Sequence, residues 1–262
     1  MLAHLLVVIS DWAVILGVLV HAFQWGGSSA VGLVSLAVLS PALVCAPVAA
    51  NLTARYRPHS VRVGGFAVQT VAFASAALCS ALGLPTPAVA AFVVVGLGAM
   101  NTLRPTGAAL LPMVARSTEG MIAGNLRISY CDSSSALLGS LVAAIVGGAG
   151  GPTAVFVACV ACTGIALVVT VWRPSPLQRA RPSTSPPEAP RRVLRVAFAE
   201  LRDRPWAIGV LAVSSARNLV IGAFDVLLVI LALRALDLGD RGPGLLSALV
   251  GGSGCACRSW TT

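Results

Sequence analysis

The chain has 262 residues, of which 57% are hydrophobic and only 10% charged, with a mean hydropathy of +0.89. That composition excludes an ordinary soluble domain. The formal charge of +9 does not point to nucleic acid, because eight arginines fall between Arg173 and Pro205 and most others in short loops. Basic charge confined to loops faces an anionic lipid leaflet rather than a phosphate backbone.

In chain order, apolar runs of lipid length alternate with turns. Span one covers about Leu2 to Phe23, and Gln24 to Ser29 turns the chain without charge. Nothing at the N-terminus resembles a cleaved signal, so span one is expected to be retained. Span two, Ala30 to Leu52, ends in a loop with Arg55, Arg57, His59 and Arg62. Span three runs from Val63 to Leu84, and Pro85-Thr86-Pro87 breaks it. Span four, Ala88 to Val114, leads into a loop with Arg116, Glu119 and Arg127. Span five, Ile128 to Gly148, is expected to be interrupted at its start by Asp132 and Ser133 to Ser135. Gly150-Gly151-Pro152 turns again, and span six runs from Thr153 to Trp172. Span seven covers Trp206 to Leu233. An eighth begins at Gly244 and is expected to stop after Gly254, before an atypical polar tail at residues 255–262.

The loops after spans one, three and five carry no charge, whereas those after two, four and six carry arginines. The positive-inside rule then places the even-numbered loops in the cytoplasm of a multi-pass plasma-membrane protein. Residues 173–205 hold seven of the 16 prolines and read as a cytoplasmic connector too polar to enter hydrocarbon. Within it, Leu194, Phe198 and Leu201 fall at helical spacing opposite Arg192, Arg195 and Arg202. That pattern suits a helix lying in the headgroup layer, or else a solvated extension of span seven. The expected fold is all-α and polytopic. It comprises an N-terminal six-helix bundle (1–172), the connector (173–205) and the first one to two helices of a second membrane unit (206–254).

Charges inside spans are costly and are functional candidates. At 1.5 Å per residue, Asp11, Arg104 and Arg217 lie about 12, 15 and 17 Å from the cytoplasmic side, in one layer. An Asp11–Arg104 pair would offset desolvation for both, and protonating the aspartate would release the arginine. A static structural pair is the competing reading. Arg217, its neighbour Asn218 and Asp225 are candidates for substrate or ion contact. Asp225 and His21 fall near the outer face, where water reaches them. Cys159-x-x-Cys162 has redox spacing but lies in an apolar run, and the seven cysteines form no disulfide framework. The three histidines are isolated, with no phosphate loop, no nucleophile elbow and no metal-ligand cluster, so neither an enzyme nor a metal or cofactor site is expected. Gly139, Ala143 and Gly147 are spaced for close helix packing.

Several local motifs give these residues a family context. Ser10-Asp11-Trp12, Ala54-Arg55-Tyr56-Arg57-Pro58, Arg104-Pro105-Thr106-Gly107 and Ala123-Gly124-Asn125 resemble motifs of the major facilitator superfamily, in its drug- and siderophore-exporter branch. Six spans, a basic connector and a second set of spans resemble its two-halved plan. The loop after span two departs from the family, with Ala54 and Ala50 where the gating motif has Asp and Gly. Gly139-Ser140 lacks the proline of the antiporter motif. The resemblance implies proton-coupled export of a small amphipathic molecule bound near the midplane. Asp11 and Arg104 would carry the coupling, and Arg55 and Arg57 would form a gating loop. It also implies about twelve spans, so a truncated or frameshifted fragment, or a module needing a partner chain such as a separate C-terminal half, is the alternative expectation.

Overall fold

Hydrocarbon offers the backbone no hydrogen-bond partner, so each apolar run must satisfy its own N–H and C=O groups as a helix. The computed structural model describes residues 2–41, 58–114, 118–172, 205–236 and 238–259, with 45, 48, 49, 52 and 56 between the first two stretches. The connector with its surface-helix segment, and the loop arginines Arg55 and Arg57, lie outside the described residues.

Among the described residues every regular element is helical. Helix α1 (Leu2–Leu39) holds span one and the first part of span two, as far as Leu39, α2 (Pro58–Ala81) span three and α3 (Thr86–Val114) span four. Helix α4 (Thr118–Trp172) holds spans five and six, and α5 (Pro205–Ile230) holds span seven. A π-turn at Leu231–Ala235 and a short 3-10 turn at Gly239–Arg241 lead to α6 (Gly242–Ser259), which holds span eight. Five of these helices are long and apolar enough to cross a membrane.

Two of them are divided by glycine. Gly27 (φ 62°) splits α1, and Gly151 (φ 68°) splits α4 just ahead of Pro152. Both sit in left-handed backbone, where a Cβ would be strained. The pairing of residues shows what these breaks do. His4 meets Asp132 and Trp12 meets Gly139, so spans one and five run parallel. Gly17 meets Val155 and Ser10 meets Cys159, so span six runs the other way. Arg241 meets Gly148 and Gly244 meets Ala144, which makes span eight antiparallel to span five. Direction therefore alternates, and the turns after spans one, three, five and seven share one end of the bundle.

The core is a stack of apolar side chains at close crossings. Leu19, Phe73 and Phe156 are fully buried in its larger part, joined there by Val229 of span seven. Val7, Val8 and Phe66 form a second cluster towards the other end. Glycine sets the separations, since a Cβ on Gly139 would stand 2.6 Å from the Ile9 carbonyl oxygen. One on Gly244 would stand 2.6 Å from the Ala144 nitrogen.

The structure departs from the sequence reading at three places. Span five is not interrupted at Asp132, because helix runs unbroken from Thr118 and takes in Glu119 and Arg127. The Ser134 hydroxyl donates to the Tyr130 carbonyl one turn back, and Asp132 lies 3.6 Å from His4 Nε2. Both polar groups are thus met locally without breaking the ladder. Span eight continues as helix past Gly254 to Ser259. His21 is not hydrated but buried, with its ring beside those of Trp25 and Phe156.

Candidate functional site

Asp11 stands inside the bundle, 5% exposed, on the first span. A bare carboxylate there would be prohibitive without partners. Gln69 of span three, completely buried, supplies one, with its Nε2 donating to Asp11 Oδ1 at 2.7 Å. The opposite atom of that amide, Gln69 Oε1, is buried with no hydrogen-bond partner. One side chain thus presents a donor to the acid and an idle acceptor beside it. The neighbouring turn is fastened by polar contacts. The Ser10 hydroxyl donates to the Val7 carbonyl at 2.7 Å, and the Cys159 thiol donates to the Ser10 carbonyl at 3.5 Å.

One residue further on, Trp12 faces a cavity of about 130 Å³ bounded by spans one, five, seven and eight. Its walls are mostly aliphatic. Ser140 of span five, Asp225 of span seven and Ser247 of span eight are its polar members. The Ser140 hydroxyl donates to the Ala136 carbonyl at 2.9 Å. Ser247 Oγ is buried without a partner. Asp225 is the charged group among the described lining residues, half-buried.

Beyond the cavity, towards the end that bears the odd-numbered turns, the spans close. Gly17, Gly147, Pro152 and Gly244 leave about 10 Å³ among them, at the lower limit for one water. Two polar ties seal the rim. Gln24 Nε2 donates to both carboxylate oxygens of Asp240, at 3.1 and 3.2 Å, and an Arg241 guanidinium nitrogen donates to the Gly148 carbonyl at 3.2 Å. At the opposite end span seven stands away from the bundle, with Val210, Val213 and Leu219 all exposed.

Exposed ties of this kind are worth at most about 1 kcal/mol, so they bias an opening without holding the fold. Asp240→Ala is expected to leave thermal stability nearly unchanged. It should raise the rate at which a membrane-impermeant maleimide on the odd-turn side labels Ala136→Cys by up to about fivefold. The background is the same protein without the added cysteine.

The remaining sequence candidates fall as follows. Arg104 lies on the helix of span four and Asn218 on that of span seven, both with side chains outside the described ones, so the Asp11–Arg104 pairing is outside them too. Arg217 is exposed on span seven, away from the buried Asp11. Gln69 was missed by sequence reasoning. Its signal was available, since it is an amide in an otherwise lipid-like run, about as far into span three as Asp11 is into span one. Ser247 was missed as well, and a lone serine in an apolar helix carries no signal. The described cysteines are free thiols, Cys159 among them.

Alternating apolar helices, a buried acid between spans one and three, and a cavity between spans one, five, seven and eight define a multi-pass helical membrane protein. The family model described as Major Facilitator Superfamily matches residues 1–260, and the chain belongs to that family of membrane transporters. A comparison with curated proteins found no match.

Proposed function

We propose that this protein exports small amphipathic molecules across the plasma membrane in exchange for protons, by alternating access. The observation that carries the reading is Asp11, a carboxylic acid buried in lipid-spanning helix and held by an amide from another span. Such groups are retained where they move protons or ions, because a purely structural contact is made more cheaply by apolar packing. The arginine-bearing loops assign the even-numbered turns to the cytoplasm. With that orientation the ties at Gln24, Asp240 and Arg241 close the outer mouth, and the cavity next to Trp12 is the place for cargo. Arg104, on span four, is the expected counter-charge to Asp11, and Arg55 and Arg57 the expected inner gate.

The test is flux in proteoliposomes holding the full chain, with ethidium and Nile red as a cationic and a neutral amphiphile. An imposed proton gradient should drive one or both. Asp11→Asn should abolish the response to the gradient while downhill movement persists, and Arg104→Ala should weaken it. Gradient-driven flux that is unaltered in both variants would sink the coupling assignment.

A further inference from the structure

The cavity beside Trp12 has a composition that selects its ligand. Its lining joins one carboxylate, Asp225, to a tryptophan face and aliphatic walls, with two hydroxyls from Ser140 and Ser247. Among the described residues, no arginine or histidine lines it. An anion placed there would meet Asp225 at low dielectric with no cation to offset it. A hard metal ion would find too few oxygens, since calcium takes about six to eight, and no group of three metal-ligating side chains occurs among the described residues. A neutral ligand would leave the carboxylate without the charge partner that its low-dielectric setting favours. Asp225 has no hydrogen bond or ion pair among the described residues. Its surroundings offer what an ammonium group surrounded by carbon requires: an opposite charge, an aromatic face and apolar contact. The idle Ser247 Oγ adds a hydrogen-bonding atom for a ligand polar group.

We propose that the cavity between spans one, five, seven and eight binds an organic cation, its ammonium group paired with Asp225 and its apolar body against Trp12. This rests on reading the cavity as the cargo site. Ser140 and Ser247 line the ligand's polar edge. The cavity's 130 Å³ holds the head of such a molecule, and a longer apolar tail leaves through its open side.

Equilibrium binding separates the two readings, because it requires no transport. Radiolabelled benzyltrimethylammonium, a permanent cation with no proton to exchange, is titrated against the purified full chain in nanodiscs. Competition with neopentylbenzene, its neutral isostere, isolates the charge. The cation is expected to bind at least about 10-fold more tightly than the isostere. Asp225→Asn should remove that preference, Asp225→Glu should retain most of it, and Trp12→Leu should weaken binding more than Trp12→Phe. Thermal unfolding of each variant guards against a folding defect. No saturable binding to the unmutated protein overturns the proposal, as does equal binding of the isostere or full binding by a folded Asp225→Asn protein. Charge-selective binding without gradient-driven flux would leave the cation site standing and remove the export reading. Flux indifferent to Asp225 would do the reverse.

Discussion

Replacing Asp11 and Gln69 singly and together is expected to give strongly non-additive losses. Asp11→Ala strips the Gln69 amide of its acceptor and leaves both ends of a buried amide unpaired. Interhelical hydrogen bonds in membranes average about 0.6 kcal/mol and reach about 1.7. A buried contact as short as 2.7 Å belongs near the upper figure. Each single variant should therefore lose about 1–2 kcal/mol of stability. The double variant Asp11→Ala, Gln69→Leu should lose less than the two together, because neither polar group is then stranded. Function should respond differently. Gln69→Glu restores a hydrogen-bonding group but sets two acids side by side, so one of them stays protonated over a wide pH range. Proton-driven flux in that variant should shift in its pH dependence while the fold survives. A strictly additive cycle, measured by thermal unfolding in detergent, would mean that the contact contributes nothing.

The second large effect is steric. Any side chain at Gly139 must displace the backbone at Ile9, and any at Gly244 must displace Ala144 or the Ser140 carbonyl, 2.7 Å from a Cβ there. Overpacking of an interior commonly costs about 1–3 kcal/mol, and backbone gives way less readily than the end of a side chain. Gly139→Leu is expected to prevent spans one and five from docking, seen as loss of monodisperse protein on extraction. Gly244→Leu acts on the contact between spans five and eight. It should spare the six-helix bundle while pushing span eight outwards, and so open the rim held by Asp240 and Arg241. Equal loss of folded protein in both variants would argue against that separation. Gly148 offers a comparison. The atoms nearest a Cβ there all belong to the flexible Arg241 side chain, so Gly148→Ala should be mild at the cost of the Arg241 tie.

How the chain would fold was largely legible, because hydropathy and loop charge report on the solvent and the solvent dictates helices. The uncharged turns at Gln24–Ser29 and Gly150–Pro152 were identifiable by glycine, and the breaks fall at Gly27 and Gly151. Asp132 misled because polarity was taken as a break, whereas a helix near its aqueous end tolerates an acid that meets His4. Of the candidate site, depth along a span was readable but facing was not. Asp11 and Arg217 were assigned one layer, yet one is buried and the other looks outward. Counting residues gives height on a helix axis. Only packing gives the angle around it, so Gln69 could be placed at Asp11's depth from the sequence, but its contact with Asp11 and the cavity lining at Ser140 and Ser247 needed the structure.

Asp11 and Trp12 are consecutive on one rigid helix, and successive side chains on a helix diverge by about 100°. The first reaches Gln69 in span three, and the second faces the cavity. Span one is thus a shaft with two cams. A small turn about its axis that carries Trp12 out of the cavity swings the carboxylate away from Gln69 in the same motion. In the proposed antiport, thermodynamic reciprocity then requires that whatever factor cargo imposes on the acid's affinity for its proton, the proton imposes on cargo. That exchange needs no relay of intermediate residues, because it is transmitted by a single peptide bond.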